Sequence, residues 1–170
     1  KTIMKKLFLA AIAVVTLTTV NAQTDQGSFL IETNIANQMV GTTSFSFNSV
    51  DGESNYGIGV DGGYFIVDDL AIKVGLGFAG ESETDSSIFS YRIGAKYYLL
   101  GNIPLTVDYT GASIKDFDEN PSWIGLGAGY AIFLGSNVSV EPGLRYNLTA
   151  NKDFTEENVF QFNIGFALHF

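Results

Sequence analysis

The chain contains no cysteine, only 3 prolines, one tryptophan and one histidine, His169, among 170 residues. Without cysteine there is no disulfide framework, no thiolate metal site and no lipid-modified N-terminal Cys. Basic residues are scarce, 9 against 18 acidic ones. Nucleic-acid binding, which depends on clustered Lys and Arg against phosphate, is thereby disfavoured. Long apolar runs are scarce as well. Outside the N-terminus no run reaches the roughly 18 to 20 residues of a spanning helix, so a membrane role would have to use strands. The length suits one domain.

Residues 1–22 read as an export signal. Met4 is the expected start, Lys5 and Lys6 form the charged region, Leu7 to Val15 the apolar stretch, and Val20-Asn21-Ala22 a small-residue cleavage site before Gln23. Thr16, Thr18 and Thr19 weaken the segment where a membrane anchor would continue. The mature domain is then 23–170. Removal of Lys1, Lys5 and Lys6 leaves six basic residues against 18 acidic ones, a net charge of -12.

What the chain does have is alternation. Asn158 to Phe170 reads NVFQFNIGFALHF: Phe160, Phe162, Ile164, Phe166, Leu168 and Phe170 share one parity, and Gln161, Asn163, Gly165, Ala167 and His169 the other. An extended strand with this pattern has one purely apolar face and one small or polar face. Alternation recurs within Phe29 to Asn48 and over Asn55 to Ile66, Leu70 to Ala79, Ile88 to Leu99, Leu105 to Ala112, Trp123 to Phe133 and Val138 to Thr149, which with the last stretch makes eight strands. The first is read as one strand interrupted near Asn37 to Gly41, because Asp51-Gly52 is a hairpin signal flanked by SFSFNSV and NYGIGV; the other option is a strand over Phe29 to Ala36 with a loop to Glu53. Connections alternate in length. Val67-Asp68-Asp69, Leu100 to Pro104 and Leu134 to Asn137 are short; Val50 to Ser54, Gly80 to Ser87, Ser113 to Ser122 and Ala150 to Glu157 are longer and more acidic. An eight-stranded antiparallel up-and-down transmembrane β-barrel of a bacterial outer membrane has this rhythm, with tight turns in the periplasm and larger loops outside.

An internal repeat supports the strand count. Tyr64, Tyr97 and Tyr130 stand 33 residues apart, in VDGGYFIVDDLAIK, IGAKYYLLGNIPLTVD and LGAGYAIFLGSNVSVE, each copy one strand, turn and strand. The apolar parity carries aromatics near both strand ends, as in Tyr56, Ile58, Val60, Gly62, Tyr64 and in Phe89, Tyr91, Ile93, Ala95, Tyr97. Tyr56 to Tyr64 spans roughly 26 Å at ~3.3 Å per residue, or about 20 Å of height at a tilt near 40°. Phe160 to Phe170 spans about 25 Å of height on the same arithmetic. Both suit an apolar band between two aromatic girdles.

The opposite parity collects Glu32, Asp61, Lys73, Arg92, Lys96, Asp108, Glu141 and Arg145, four acids and four bases, together with His169. A buried charge is expensive unless paired, so these eight are expected to form an ion-pair network that plugs the lumen. Eleven of the 19 glycines (57, 59, 63, 75, 77, 94, 125, 127, 129, 143, 165) share this parity and leave room for the long side chains. Pro104 and Pro121 fall at strand starts; Pro142 falls inside a strand, where it must cost a ladder hydrogen bond or mark a bulge.

An export signal, a mature chain of about 148 residues, eight alternating strands and a terminal strand ending in Phe resemble the small OmpA/OmpX-type outer-membrane barrels of Gram-negative cell envelopes, the outer membrane protein β-barrel domain. The resemblance covers Gln23 to Phe170. It implies that Phe166, Leu168 and Phe170 act as the C-terminal assembly signal read by the barrel-assembly machinery, that Glu141 and Arg145 are interior charges of the kind filling such barrels, and that the partners are outer-membrane lipid and lipopolysaccharide. Family members include adhesins and structural anchors, so the resemblance speaks to fold, place and assembly more than to activity.

Other chemistry finds little support. Gly57-x-Gly59-x-x-Gly62 and Gly75-x-Gly77-x-x-Gly80 match a dinucleotide fingerprint, but both lie inside strands rather than between a strand and a helix. Asp116-x-Asp118-x-Asn120 starts like a calcium loop, yet Pro121 holds the sharp-turn glycine position and Gly127 the bidentate Glu position. Barrel hydrolases place a His near the outer rim; His169, second from the end, belongs at the periplasmic rim and reads as an interior hydrogen-bonding residue. The expectation is therefore a monomeric, non-enzymatic barrel without cofactor or metal, whose acidic loops mediate surface contact or divalent-cation bridging to lipopolysaccharide. A small porin-like pore is the alternative, and a soluble lipocalin-type ligand-binding barrel, with the apolar parity facing a cavity, the third reading.

Overall fold

The structure is a computed structural model, and it describes residues 24–35, 46–50, 53–81, 87–115 and 119–170. The expected export signal with Met4 and Ala22, the expected interruption at 37–41, the Asp51-Gly52 turn, and Asp116 and Asp118 lie outside the described residues.

Ten strand segments follow one another: β1 (Phe29–Ile35), β2 (Ser46–Val50), β3 (Glu53–Val67), β4 (Leu70–Glu81), β5 (Ser87–Leu99), β6 (Ile103–Ile114), β7 (Ser122–Gly129), β8 (Ile132–Phe133), β9 (Val138–Thr149) and β10 (Val159–His169). They occupy eight positions around a closed antiparallel cylinder. β1 and β2 lie in line along one edge of β3, β1 against Asp61 to Tyr64 and β2 against Glu53 to Gly57. β7 and β8 lie in line along β9. β10 pairs with β9 and with β1, and β1 also pairs with β3, which closes the wall. Among the described residues closure leaves no long sheet edge to pair with another chain.

The break between β7 and β8 has a covalent cause. Tyr130 N donates to Pro142 O at 3.0 Å, so this is a pair whose residues would normally exchange two bonds. Pro142 has no N–H to return. The register on either side is unchanged, since Gly129 faces Gly143 and Ile132 faces Val140. Pro142 thus removes a rung and does not create a bulge.

Several boundaries differ from the sequence expectation. The turn before β6 is Leu100 to Asn102 and Pro104 stands second in the strand, because positive φ values at Leu100 (55°) and Gly101 (74°) reverse the chain within three residues. β3 and β4 run to Glu53 and Glu81, beyond the expected strand ends at Asn55 and Ala79. Their extra residues pair with each other as far as Asn55 with Glu81.

Facing follows parity throughout the wall. Val74 and Leu76 are each 58% exposed while Lys73 between the same strands is 5% exposed. Ile58, Val60, Ile93, Leu126, Leu144, Phe160 and Phe162 also point outward. This inverts the arrangement of a soluble barrel, and it corrects the lipocalin reading: the apolar parity surrounds the cylinder and the charged parity fills it. Interior glycines permit the close approach. At Gly125 a Cβ would collide with the Arg145 guanidinium, and at Gly94 with the Asp108 backbone and Cβ.

Candidate functional site

The barrel interior brings all eight of the interior charges together, and it orders them. Glu141 Oε2 accepts from Lys96 Nζ, which also reaches Glu32 Oε2. Glu32 Oε1 meets Lys73 Nζ at 2.9 Å, and Lys73 Nζ meets Asp61 Oδ2 at 3.1 Å. Asp61 Oδ2 accepts from Arg92 Nη1 at 2.8 Å, and Arg92 Nε lies 3.7 Å from Asp108 Oδ1. Asp108 then holds Arg145 through two bonds of 2.6 Å, Nη1 to Oδ2 and Nη2 to Oδ1. The result is one alternating chain, Glu141–Lys96–Glu32–Lys73–Asp61–Arg92–Asp108–Arg145, which leaves β9 and returns to it after passing β5, β1, β4, β3, β5 and β6.

Alternation is what makes such a chain tolerable. Each of the eight is buried, with Asp61 at 0% exposure, and an uncompensated charge there would carry a desolvation penalty of several kcal/mol. Neutral donors and acceptors finish the shell. Tyr98 OH and Ser139 Oγ each donate to Glu141 Oε1 at 2.8 Å. Thr110 Oγ1 donates to Asp108 Oδ1 at 2.9 Å, and Arg145 Nε donates to Asn147 Oδ1 at 2.7 Å. Asn147 passes a hydrogen bond on to Gln161 Oε1 at 2.8 Å.

Toward the short-turn end the lumen is closed by rings. His169 lies 5.4 Å from Phe133, 5.9 Å from Tyr98 and 6.4 Å from Phe65, centroid to centroid. Leu30, Ala71, Ala131 and Ala167 complete this apolar floor. The sequence reading made His169 an interior hydrogen-bonding residue at the short-turn end. It is fully enclosed there, with Nε2 3.1 Å from Ser139 Oγ. That Ser and His contact invites comparison with a nucleophile and base, but both residues have 0% exposure, so no substrate reaches either atom. The floor rings Phe65, Tyr98 and Phe133 were not singled out from the sequence. A signal existed: Phe65, Tyr98 and Ala131 each follow a tyrosine of the 33-residue repeat and so stand at the inward parity. Trp123, in register with Thr110 and Thr149, is buried toward the long-loop end.

Between the ion pairs and Gly127, Gly129 and Gly143 lies a cavity of about 50 Å³. That is room for a few water molecules and for no larger solute. Among the described residues no group of three or more His, Asp or Glu side chains is placed to hold a metal ion. Asn120, an expected calcium-loop position, spends its Oδ1 on Ile114 N at 2.9 Å. The two glycine fingerprints lie within β3 and β4, and among the described residues the next element after each is another strand.

At the long-loop end two acidic loops lean on each other, Asn151 Nδ2 donating to Asn120 O at 2.8 Å. Glu119, Asp153, Glu156 and Glu157 are exposed there. At the opposite end Phe166, Leu168 and Phe170 face outward, and Phe170 and Phe29 exchange backbone hydrogen bonds of 3.0 Å in each direction.

Comparison with protein-family models finds no match, and comparison with curated proteins finds none either. Among solved structures the chain is similar to the outer membrane protein Ail of Yersinia pestis in a phospholipid bilayer nanodisc, at 12% identity and a TM-score of 0.51, covering 85% of this chain and 100% of that one. It is also similar to Neisserial surface protein A, at 18% identity and a TM-score of 0.47, covering 85% and 98%. The N-terminal β-barrel domain of Pseudomonas aeruginosa OprF gives 15% identity and a TM-score of 0.47, covering 85% and 98%. The closed eight-position antiparallel wall, its outward apolar belt and the likeness to Ail together give this chain the fold of the small eight-stranded outer-membrane barrels of the OmpA/OmpX type.

Proposed function

We propose that the protein is an integral outer-membrane barrel with a closed interior, which acts through its surface and not through catalysis or transport. The observation that carries this reading is the pairing of two opposite solvents in one wall: apolar side chains over the whole outer face and a continuous ion-pair chain inside. Lipid suits the first and a protein-filled lumen the second. The similarity to outer-membrane proteins supports the same location. Within this reading the acidic loops carry surface contact or envelope integrity, with lipopolysaccharide and outer-membrane lipid as partners. Phe166, Leu168 and Phe170 serve the barrel-assembly machinery, the barrel works as a monomer, and no nucleic acid is involved. Fractionation with a gel of unboiled and boiled samples tests it. A folded barrel in the membrane fraction shifts its migration on boiling, whereas a soluble protein with a single boiling-insensitive band rejects the reading.

The pore alternative rests on the cavity of about 50 Å³ among the charges. Planar bilayers decide between the two: reproducible unit conductance would favour a pore, and silence the closed barrel.

A further inference from the structure

The floor is fastened at the short-turn end by one kind of bond repeated around the barrel. Tyr98 N donates to Asp69 O, Ala131 N to Asn102 O and His169 N to Asn137 O, each at 2.8 Å. Each of these acceptors lies in a turn that is joined to a strand on both sides, β3 to β4, β5 to β6 and β8 to β9. Phe65 N donates in the same way to Ser28 O at 3.0 Å. Ser28, however, stands before β1 and belongs to no such turn among the described residues.

What holds Ser28 is the segment Thr24 to Ser28, folded back onto the first short turn. Ser28 N donates to Asp25 O at 3.1 Å and closes a tight turn whose third residue is Gly27 at φ 96°, a conformation that glycine adopts without strain. Gly27 N donates to Phe65 O at 2.9 Å, so Phe65 is bonded to this segment through both its N–H and its C=O. Thr24 is buried and bonds Asp69 twice: its Oγ1 donates to Asp69 Oδ1 at 2.6 Å, and its carbonyl accepts from Asp69 N at 2.8 Å. Gln26 N donates to Asp68 Oδ1 and Gln26 Nε2 to Ile66 O, both at 2.9 Å. Gln26 and Asp68 are exposed, so water competes for their bond. The Phe65 side of the floor is thus fastened by side chains near the surface, and the other three sides by the covalent closure of a hairpin.

We propose that Thr24 to Ser28 is a releasable latch, whose opening loosens the floor beside Phe65 and admits water and small ions to the ion-pair chain from the short-turn end. The inference deepens the closed-barrel reading above and rests on it. The Phe65 ring packs on His169 and, at 6.1 Å, on Tyr98, whose OH is bonded to Glu141 at the end of the charge chain. Release of Phe65 therefore reaches the chain through one intervening ring. It leaves the wall intact. Phe29 stays bonded to Phe170 and paired with Tyr64, while Gly27 serves as the pivot of the segment before it.

Asp68→Ala combined with Asp69→Gly removes both carboxylate acceptors of the latch, and glycine suits the φ of 64° at position 69. Ser136→Ala, which removes an exposed side-chain bond inside a closed turn, is the control. Planar bilayers should show openings in the double variant and silence in the parent and the control. Amide hydrogen exchange read by NMR should be fastest at Phe65 among Phe65, Tyr98, Ala131 and His169 in the parent, and severalfold faster there in the double variant. Equal exchange at the four amides, a folded double variant as silent as the parent, or openings in Ser136→Ala as well would each overturn the latch. Every variant is first checked for the boiling-dependent shift, and Asp68→Ala alone is used if the double variant lacks it. A parent protein that itself conducts would defeat the closed-barrel reading, and the order of the four exchange rates would then still decide the latch.

Discussion

Glu141 and Arg145, four residues apart on β9, are the two ends of one ion-pair chain that crosses the lumen before returning to the strand it left. Consecutive inward positions on a strand lie two residues apart, so the two ends are separated along β9 only by Gly143 on the inner face. Between its ends the chain ties together β5, β1, β4, β3 and β6.

The most sensitive point in that chain is Lys96, which holds Glu32 and Glu141 at once. Lys96→Met takes the cation from buried Glu141 and leaves Glu32 with Lys73 alone. Urea unfolding followed by loss of the heat-modifiable band should show a drop of about 3–5 kcal/mol. Adding Glu141→Gln should recover much of it, because three bases then face three acids. A Lys96→Met loss under about 1 kcal/mol would place the pair in a solvated setting instead.

The outer face predicts a dependence on depth. Ile93→Arg, near the middle of β5, should cost about 2–4 kcal/mol in lipid vesicles, and Ile66→Arg, near the turn end of β3, about 0–1 kcal/mol. Folding titrations in vesicles measure both. Equal costs would contradict the bilayer placement of the belt.

Gly125 and Gly62 separate interior space from exterior space. A methyl at Gly125 meets the Arg145 guanidinium, whereas one at Gly62 meets nothing within 4 Å. Gly125→Ala should destabilise by about 1–3 kcal/mol through overpacking. Gly62→Ala should stay within about 0.5 kcal/mol of the parent. The same unfolding titration reads both, and a reversed order would refute the assigned facing.

The floor makes its own prediction. Phe133→Ala removes a ring packed on His169 and Tyr98, and stability should fall by about 3–5 kcal/mol. In planar bilayers the parent should be silent, and the variant should show conductance as water reaches Glu141 from below. A variant that keeps its heat shift and stays silent would assign the block to the ion pairs alone.

Alternation by itself determined most of the architecture. A strand has a period of two, so the parity of Tyr56, Ile58 and Val60 against Gly57, Gly59 and Asp61 already assigns the two faces. The balance of four acids and four bases on one parity already requires them to pair. The cost of Pro142 was legible too, from a missing N–H. What parity could not supply is which acid meets which base. That choice depends on how strands are staggered around the cylinder, so only the tertiary structure ordered the chain from Glu141 to Arg145, put Lys96 between two carboxylates, and kept Pro142 in register without a bulge. The aromatic floor belongs to the same class. Phe65, Tyr98, Phe133 and His169 are far apart in sequence and meet because closure of the barrel brings four strand ends to one axis. Facing is a local property of the backbone, and contact across the lumen is a property of closure.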